Sequence, residues 1–140
     1  MSIDSINTLE QIIADNGYRL TTARKKIFKL LESQEPQLMQ DLIKRASGEV
    51  DRVSVYRTIE LFEKLGIVNR LYIGWKYKLE LSDDFVAHHH HMSCLSCDTT
   101  IGIKDEKHIN EFIEKVAKEE GFKPRNHVFE IDGYCSNCRS

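Results

Sequence analysis

Residues 51–81 read DRVSVYRTIELFEKLGIVNRLYIGWKYKLEL, and this stretch decides the fold of the first half of the chain. Asp51 is a helix cap by residue type, and Val55, Ile59, Phe62 and Leu65 recur at the spacing of one helix face. Gly66 stops that helix, because glycine takes up the left-handed closing conformation without steric cost. Two runs of strand character follow, Val68–Ile73 and Lys76–Leu81, with Gly74-Trp75 as the turn between them. A helix passing directly into a hairpin is the closing part of a winged helix-turn-helix.

The residues before it agree. Ile6, Leu9, Ile12 and Ile13 mark a first helix that Gly17 ends, and Thr21 or Thr22 caps a second with Ile27, Leu30 and Leu31 facing inward. A third helix runs over 38–46 and stops before Ser47-Gly48. Beyond the hairpin, strand and helix mix. Residues 88–93 and 99–103 read as extended. Ile109, Phe112, Ile113, Val116 and Ala117 predict a helix over 106–120 that Gly121 terminates. Residues 127–131 alternate like a strand, and Asp132-Gly133 predicts a turn into the last two cysteines. There is no internal repeat.

Composition narrows the function classes. The chain has 140 residues, 41% of them hydrophobic and 30% charged, with 2 Pro and 7 Gly, which suffices for a core and excludes low complexity. No apolar run approaches the roughly 20 residues of a membrane helix, so no spanning segment is expected. The opening MSIDSINTLEQ lacks a basic segment followed by an apolar one, so a cytoplasmic chain without a secretory signal is expected. The net charge of −2 excludes no partner. The halves differ, however. Residues 1–75 carry 11 basic and 10 acidic side chains and no Cys or His; residues 76–140 carry 9 and 12, with all 4 Cys and all 6 His. Two domains are expected, 1–82 and 83–140.

Cys94 and Cys97 form one Cys-x-x-Cys pair, and Cys135 and Cys138 form another. Each suits a knuckle that places two thiolates on one tetrahedral zinc, and two knuckles close the coordination sphere, so such a zinc is structural. A thioredoxin-like redox pair or ordinary buried cysteine are the competing readings, but a redox pair normally stands alone at a helix start. The second pair would return from the far end of a small α/β unit and fasten the chain end beside the first.

His88, His89, His90 and His91 are consecutive. On a strand, His88 and His90 face one way and His89 and His91 the other, so each pair can chelate a different divalent ion. A solvated loop with adventitious metal affinity, or a tag remnant, are the bland readings. His127 is a further ligand candidate, Glu80, Asp83 and Glu111 are the acidic ones, and His108 reads as a surface residue.

A winged helical module followed by a His run, Cys-x-x-Cys and a late Cys-x-x-Cys resembles the ferric uptake regulator family of bacterial metal-sensing repressors. The segments 17–24, GYRLTTAR, and 53–59, VSVYRTI, look like that family's opening segment and recognition helix. The resemblance covers almost the whole chain. It implies an α+β architecture: an N-terminal winged helix-turn-helix domain plus a C-terminal α/β dimerisation domain stapled by a four-cysteine zinc site. The implied function is a homodimeric repressor of metal uptake genes that binds double-stranded operator DNA when a regulatory divalent metal is present.

Carried over by position, Tyr56 and Arg57, with Ser54 beside them, would reach the major groove and Arg19 the minor groove. Those residue types suit the task, since Arg pairs with guanine and Tyr can lie against a thymine methyl. Glu80, His89 and His91 match the sensory site. His88, His90 and His127 match a second site, where Glu111 stands beside Asn110, the position of the expected acidic ligand. The family's usual His before the third helix is replaced by Glu35-Pro36-Gln37 and a common acidic position by Gly102, so Glu35 or Asp83 would compensate. With all four cysteines committed to structural Zn2+, nitrogen and oxygen donors remain for sensing, which points to Fe2+. Zinc-sensing and manganese- or peroxide-sensing members are the alternatives. A zinc hydrolase or deaminase needs an open metal position and a general base near the run, and none is visible, so no enzyme is expected. A zinc-stapled interaction module without DNA binding is the remaining alternative.

Overall fold

The computed structural model describes residues 3–32, 35–86, 89–104, 106–124 and 127–140, and each structural statement here concerns those residues. The chain forms two compact units, residues 1–87 and 88–140. Phe85 and Val86 pack against the core of the first unit, Phe85 edge-on to Phe28 with ring centroids 5.0 Å apart.

The N-terminal unit contains α1 (Ile3–Asp15), α2 (Thr22–Glu32), α3 (Met39–Ala46), α4 (Arg52–Lys64), β1 (Val68–Ile73) and β2 (Lys76–Leu81). Local chemistry sets the helix ends. Thr21 Oγ1 accepts the Arg24 N–H at 3.2 Å, which resolves the cap of α2, and Asp51 accepts the Ser54 N–H at 3.1 Å at the start of α4. Gly66 ends α4's last turn with φ of 73°. The inward stripes of the four helices, including Leu9, Ile27, Phe28, Leu42, Ile59 and Phe62, meet Leu79 and Leu81 of β2 in one apolar cluster. β1 and β2 pair antiparallel with Val68 opposite Leu81. The α2–α3 link is stitched to β2 as well, since Gln37 and Leu79 exchange backbone hydrogen bonds of 2.9 and 2.7 Å.

The C-terminal unit contains β3 (His91–Cys94), β4 (Thr100–Gly102), α5 (Glu106–Glu119) and β5 (Glu130–Gly133), with strand order β4-β3-β5. β4 runs antiparallel to β3; β5 runs parallel to it, which requires a crossover, and α5 lies within that connection. Two expectations are corrected. The strand expected over 88–93 joins the sheet only at His91, and His88 lies outside the described residues. The strand expected over 127–131 instead begins at Glu130 and runs through Asp132-Gly133, where the residue types predict a turn. Register decides this: His91 lies opposite Glu130 and Cys94 opposite Gly133, a pairing that alternation within one segment cannot reveal.

The units also differ in how they bury apolar surface. All members of the apolar cluster of the described residues lie at or before Val86. In the C-terminal unit α5 has no buried residue, and Met92, Ile101, Phe112, Val116, Phe129 and Ile131 are exposed. Of the apolar stripe along α5, Phe112 and Val116 are exposed and Ile109, Ile113 and Ala117 are half-buried. No described helix is long and apolar enough to cross a membrane.

Phe62 is fully buried at the centre of the N-terminal core, so Phe62→Ala leaves a cavity as well as losing transfer free energy. The expected cost is about 3–5 kcal/mol of unfolding free energy, read from urea denaturation followed by helical circular dichroism.

Candidate metal centre and nucleic-acid interface

The end of β3 supplies Cys94, the turn after it Cys97, and the segment after β5 supplies Cys135 and Cys138. The parallel β3–β5 pairing carries the second pair to the first: Leu95 N–H donates to Gly133 O at 2.8 Å immediately before it. The four sulfurs lie within 4.8 Å of one another, and Cys97 Sγ is 3.8 Å from Cys135 Sγ. Thiolates bound tetrahedrally at about 2.3 Å from one zinc are roughly 3.8 Å apart. The donor set therefore fits a closed four-thiolate zinc site. Its electrostatics point the same way. The backbone N–H groups of Cys135 and Cys97 donate to Cys94 Sγ at 3.4 and 3.5 Å, and such donors hold the Cys94 thiol down at about 6. The Thr99 hydroxyl, 3.0 Å from Cys97 Sγ, lowers the Cys97 thiol. The neighbouring Cys135 sulfur pushes Cys138 up to about 12. Four thiolates cannot coexist here without a cation to neutralise them.

The histidines separate by face. The rings of His89 and His91 lie edge-to-face with centroids 4.4 Å apart, and His91 is buried. His90, 3% exposed, turns to the other side. Its Nε2 is 2.9 Å from His127 Nε2, its backbone N–H donates to Glu106 Oε1 at 2.6 Å, and its Nδ1 is hydrogen-bonded to Glu106 Oε2. Glu106, and not the expected Glu111, is thus the carboxylate brought to His90. The helix explains the difference. Glu106 and Asn110 are four residues apart and share a face of α5, whereas Glu111 is rotated about 100° from Asn110 and is exposed. That i,i+4 relation was the available signal for Glu106. His108 is exposed on α5. In the N-terminal unit Glu80 lies half-buried on β2, across from Asn69.

α4 has two unlike faces. Val55, Thr58, Ile59 and Phe62 are buried, while Val53, Tyr56, Arg57 and Glu60 are exposed along the opposite stripe. Ser54 is differently employed: its hydroxyl donates to Asp51 Oδ1 at 2.6 Å. That bond, with the Ser54 backbone N–H, holds the Asp51 carboxyl below its ordinary value. Val53, 54% exposed, lies three residues before Tyr56 and hence on the same face. Arg19 is exposed in the α1–α2 link, and its carbonyl accepts an Arg24 guanidinium N–H at 2.6 Å.

Comparison with known proteins places these features in context. The model of the ferric uptake regulator family matches residues 15–132. The ferric uptake regulation protein of Bacillus subtilis (strain 168) is 30% identical over 142 residues, covering 95% of this chain and 93% of that protein. The zinc uptake regulation protein of Mycobacterium tuberculosis (strain CDC 1551 / Oshkosh) is 33% identical over 130 residues, covering 89% and 97%. The crystal structure of the Vibrio cholerae ferric uptake regulator superposes with a TM-score of 0.73 at 27% identity, covering 90% of this chain and 98% of that one.

Because metal binding at thiolates competes with protons, bound zinc is expected to be retained at neutral pH and released only on acidification well below the value of about 6 to which the metal-free cluster lowers the Cys94 thiol. Cys94→Ser is expected to release zinc already at neutral pH and to lower the melting temperature. A chromophoric chelator and thermal melts measure both.

Proposed function

The chain belongs to the ferric uptake regulator family, and on that premise we propose that it is a metal-dependent transcriptional repressor acting as a homodimer on operator DNA. Residues 1–82 would form the DNA-binding domain and residues 83–140 the metal-binding dimerisation domain. The observation that carries this reading is the division of α4, whose apolar stripe is buried while Tyr56 and Arg57 stand exposed behind a capped N-terminus.

The roles follow from side-chain chemistry. Arg57 offers a bidentate fork to guanine, Tyr56 and Val53 offer apolar surface to thymine methyls, and Arg19 offers charge to a narrow minor groove. Ser54 serves the interface indirectly, by locking the cap that starts the reading helix. The exposed apolar side chains of β3, β4, β5 and α5 support the dimer, because a unit that buries almost none of its own apolar surface needs a second copy to do so.

Cys94, Cys97, Cys135 and Cys138 would hold a structural Zn2+. When bound, it supplies folding free energy to the C-terminal domain and has no free position for a substrate. A regulatory divalent metal would be held by Glu80, His89 and His91, and a second by His88, His90 and His127. We propose Fe2+ as the sensed ion, since every cysteine lies in one cluster and only nitrogen and oxygen donors are left for sensing. Zinc sensing is the second reading, favoured by the paired imidazoles of His90 and His127. Both ferric and zinc uptake regulation proteins stand among the relatives at similar identity. Homologues that are regulators, together with a closed thiolate cluster, support a non-catalytic protein.

Arg57→Ala and Tyr56→Ala are each expected to lose about 1–3 kcal/mol of discrimination at particular base pairs, with metal content unchanged, in footprinting of a selected operator. His89→Ala with His91→Ala is expected to leave a folded dimer with its cysteine-bound zinc but without metal-stimulated DNA affinity. Metal can shift the DNA-competent population only through its differential affinity for that state. Operator affinity at fixed salt, with and without added Fe2+ or Mn2+, measures this, and a parent-like response would overturn the assignment of the sensory site.

A further inference from the structure

His90 occupies an unusual position for a metal-binding imidazole. It is nearly fully buried, and one carboxylate grips it twice: Glu106 Oε1 takes its backbone N–H at 2.6 Å and Glu106 Oε2 bonds to Nδ1. With the Nδ1 proton committed to Glu106, the lone pair of His90 resides on Nε2. That nitrogen faces His127 Nε2 at 2.9 Å. Two imidazole nitrogens bound to one ion at about 2.0–2.1 Å are roughly 2.9–3.4 Å apart for angles between right and tetrahedral. The same face of α5 carries Asn110, whose Oδ1 is buried without a hydrogen-bond partner among the described residues, the kind of neutral oxygen that a bound cation satisfies.

We propose that Glu106 is a positioning residue that fixes His90 as an Nε2 ligand, so that this seat takes a divalent cation through neutral donors, with the negative charge one shell away. The inference rests on reading His90 and His127 as ligands. It adds that a carboxylate–histidine–metal chain replaces direct carboxylate ligation here. Such a carboxylate orients the ring and strengthens the nitrogen as a donor, and losing one typically costs 10–100-fold in metal affinity. Glu106 also opens α5, where an acidic side chain favours the helix N-terminus. A purely helix-stabilising role would leave the His90 tautomer and the metal affinity untouched.

The test uses the full-length dimer with its cysteine-bound zinc in place, carrying His89→Ala and His91→Ala so that only the second seat titrates. Co2+ is the probe, its affinity read by chelator competition, and the His90 tautomer is read from nitrogen-15 chemical shifts before Co2+ is added. Glu106→Gln is expected to weaken Co2+ binding about 10–100-fold and to shift His90 away from the Nδ1–H form, with zinc content and melting temperature retained. Glu106→Asp is expected to preserve the tautomer and recover most of the affinity. If Glu106→Gln binds Co2+ like the parent while His90→Ala with His127→Ala abolishes binding, the role of Glu106 is overturned and the ligand assignment stands. If the double histidine variant still binds Co2+ like the parent, the assignment of the seat itself fails.

Discussion

The C-terminal unit is held by four sulfurs within 4.8 Å rather than by a core. Its sheet has three strands of three or four residues, its helix buries no side chain, and its apolar residues stand exposed in the single chain. Such a unit is too small to fold on apolar burial alone, and a metal staple or a partner must supply the difference. The thiolate cluster supplies it at the most consequential place. It ties the end of β3 to the residues after β5, and so fixes the parallel register from which the histidine faces follow.

That register gives the two sides of the histidine run different chemistry. His89 and His91 meet on one side. His90 on the other is held by Glu106 and faces His127. Adjacent histidines meet different partners because those partners come from different elements, Glu106 from α5 and His127 from the segment before β5.

The N-terminal unit solves a different problem. α4 must bury one face in the core and leave the other bare, so its position depends on contacts at its ends. Asp51 and Ser54 fix the beginning. At the far end Arg70 Nε donates to Glu63 Oε2 at 2.6 Å, and the same guanidinium lies 4.2 Å over the Tyr77 ring, joining α4, β1 and β2. Glu80 lies three residues beyond Tyr77 on β2, the strand that this guanidinium ties to α4.

By itself, the sequence determined everything that depends on near neighbours along the chain. The four N-terminal helices, the glycine that closes α4, the hairpin bounds at Val68–Ile73 and Lys76–Leu81, and the two cysteine knuckles all follow from caps, periods and short spacings. Only the tertiary structure decided which partners distant segments take. β5 slid to Glu130–Gly133 because β3 sets its register, and residues 127–131 carry no mark of that choice. Glu106 rather than Glu111 reached His90 because the approach of α5 to β3, and not the order of acidic residues, selects the facing turn. The apolar stripe of α5 was legible as a stripe, but periodicity records only that a face is apolar. Whether its cover comes from the same chain is set by three-dimensional packing, and here Phe112 and Val116 stay exposed while Ile109, Ile113 and Ala117 are half-buried.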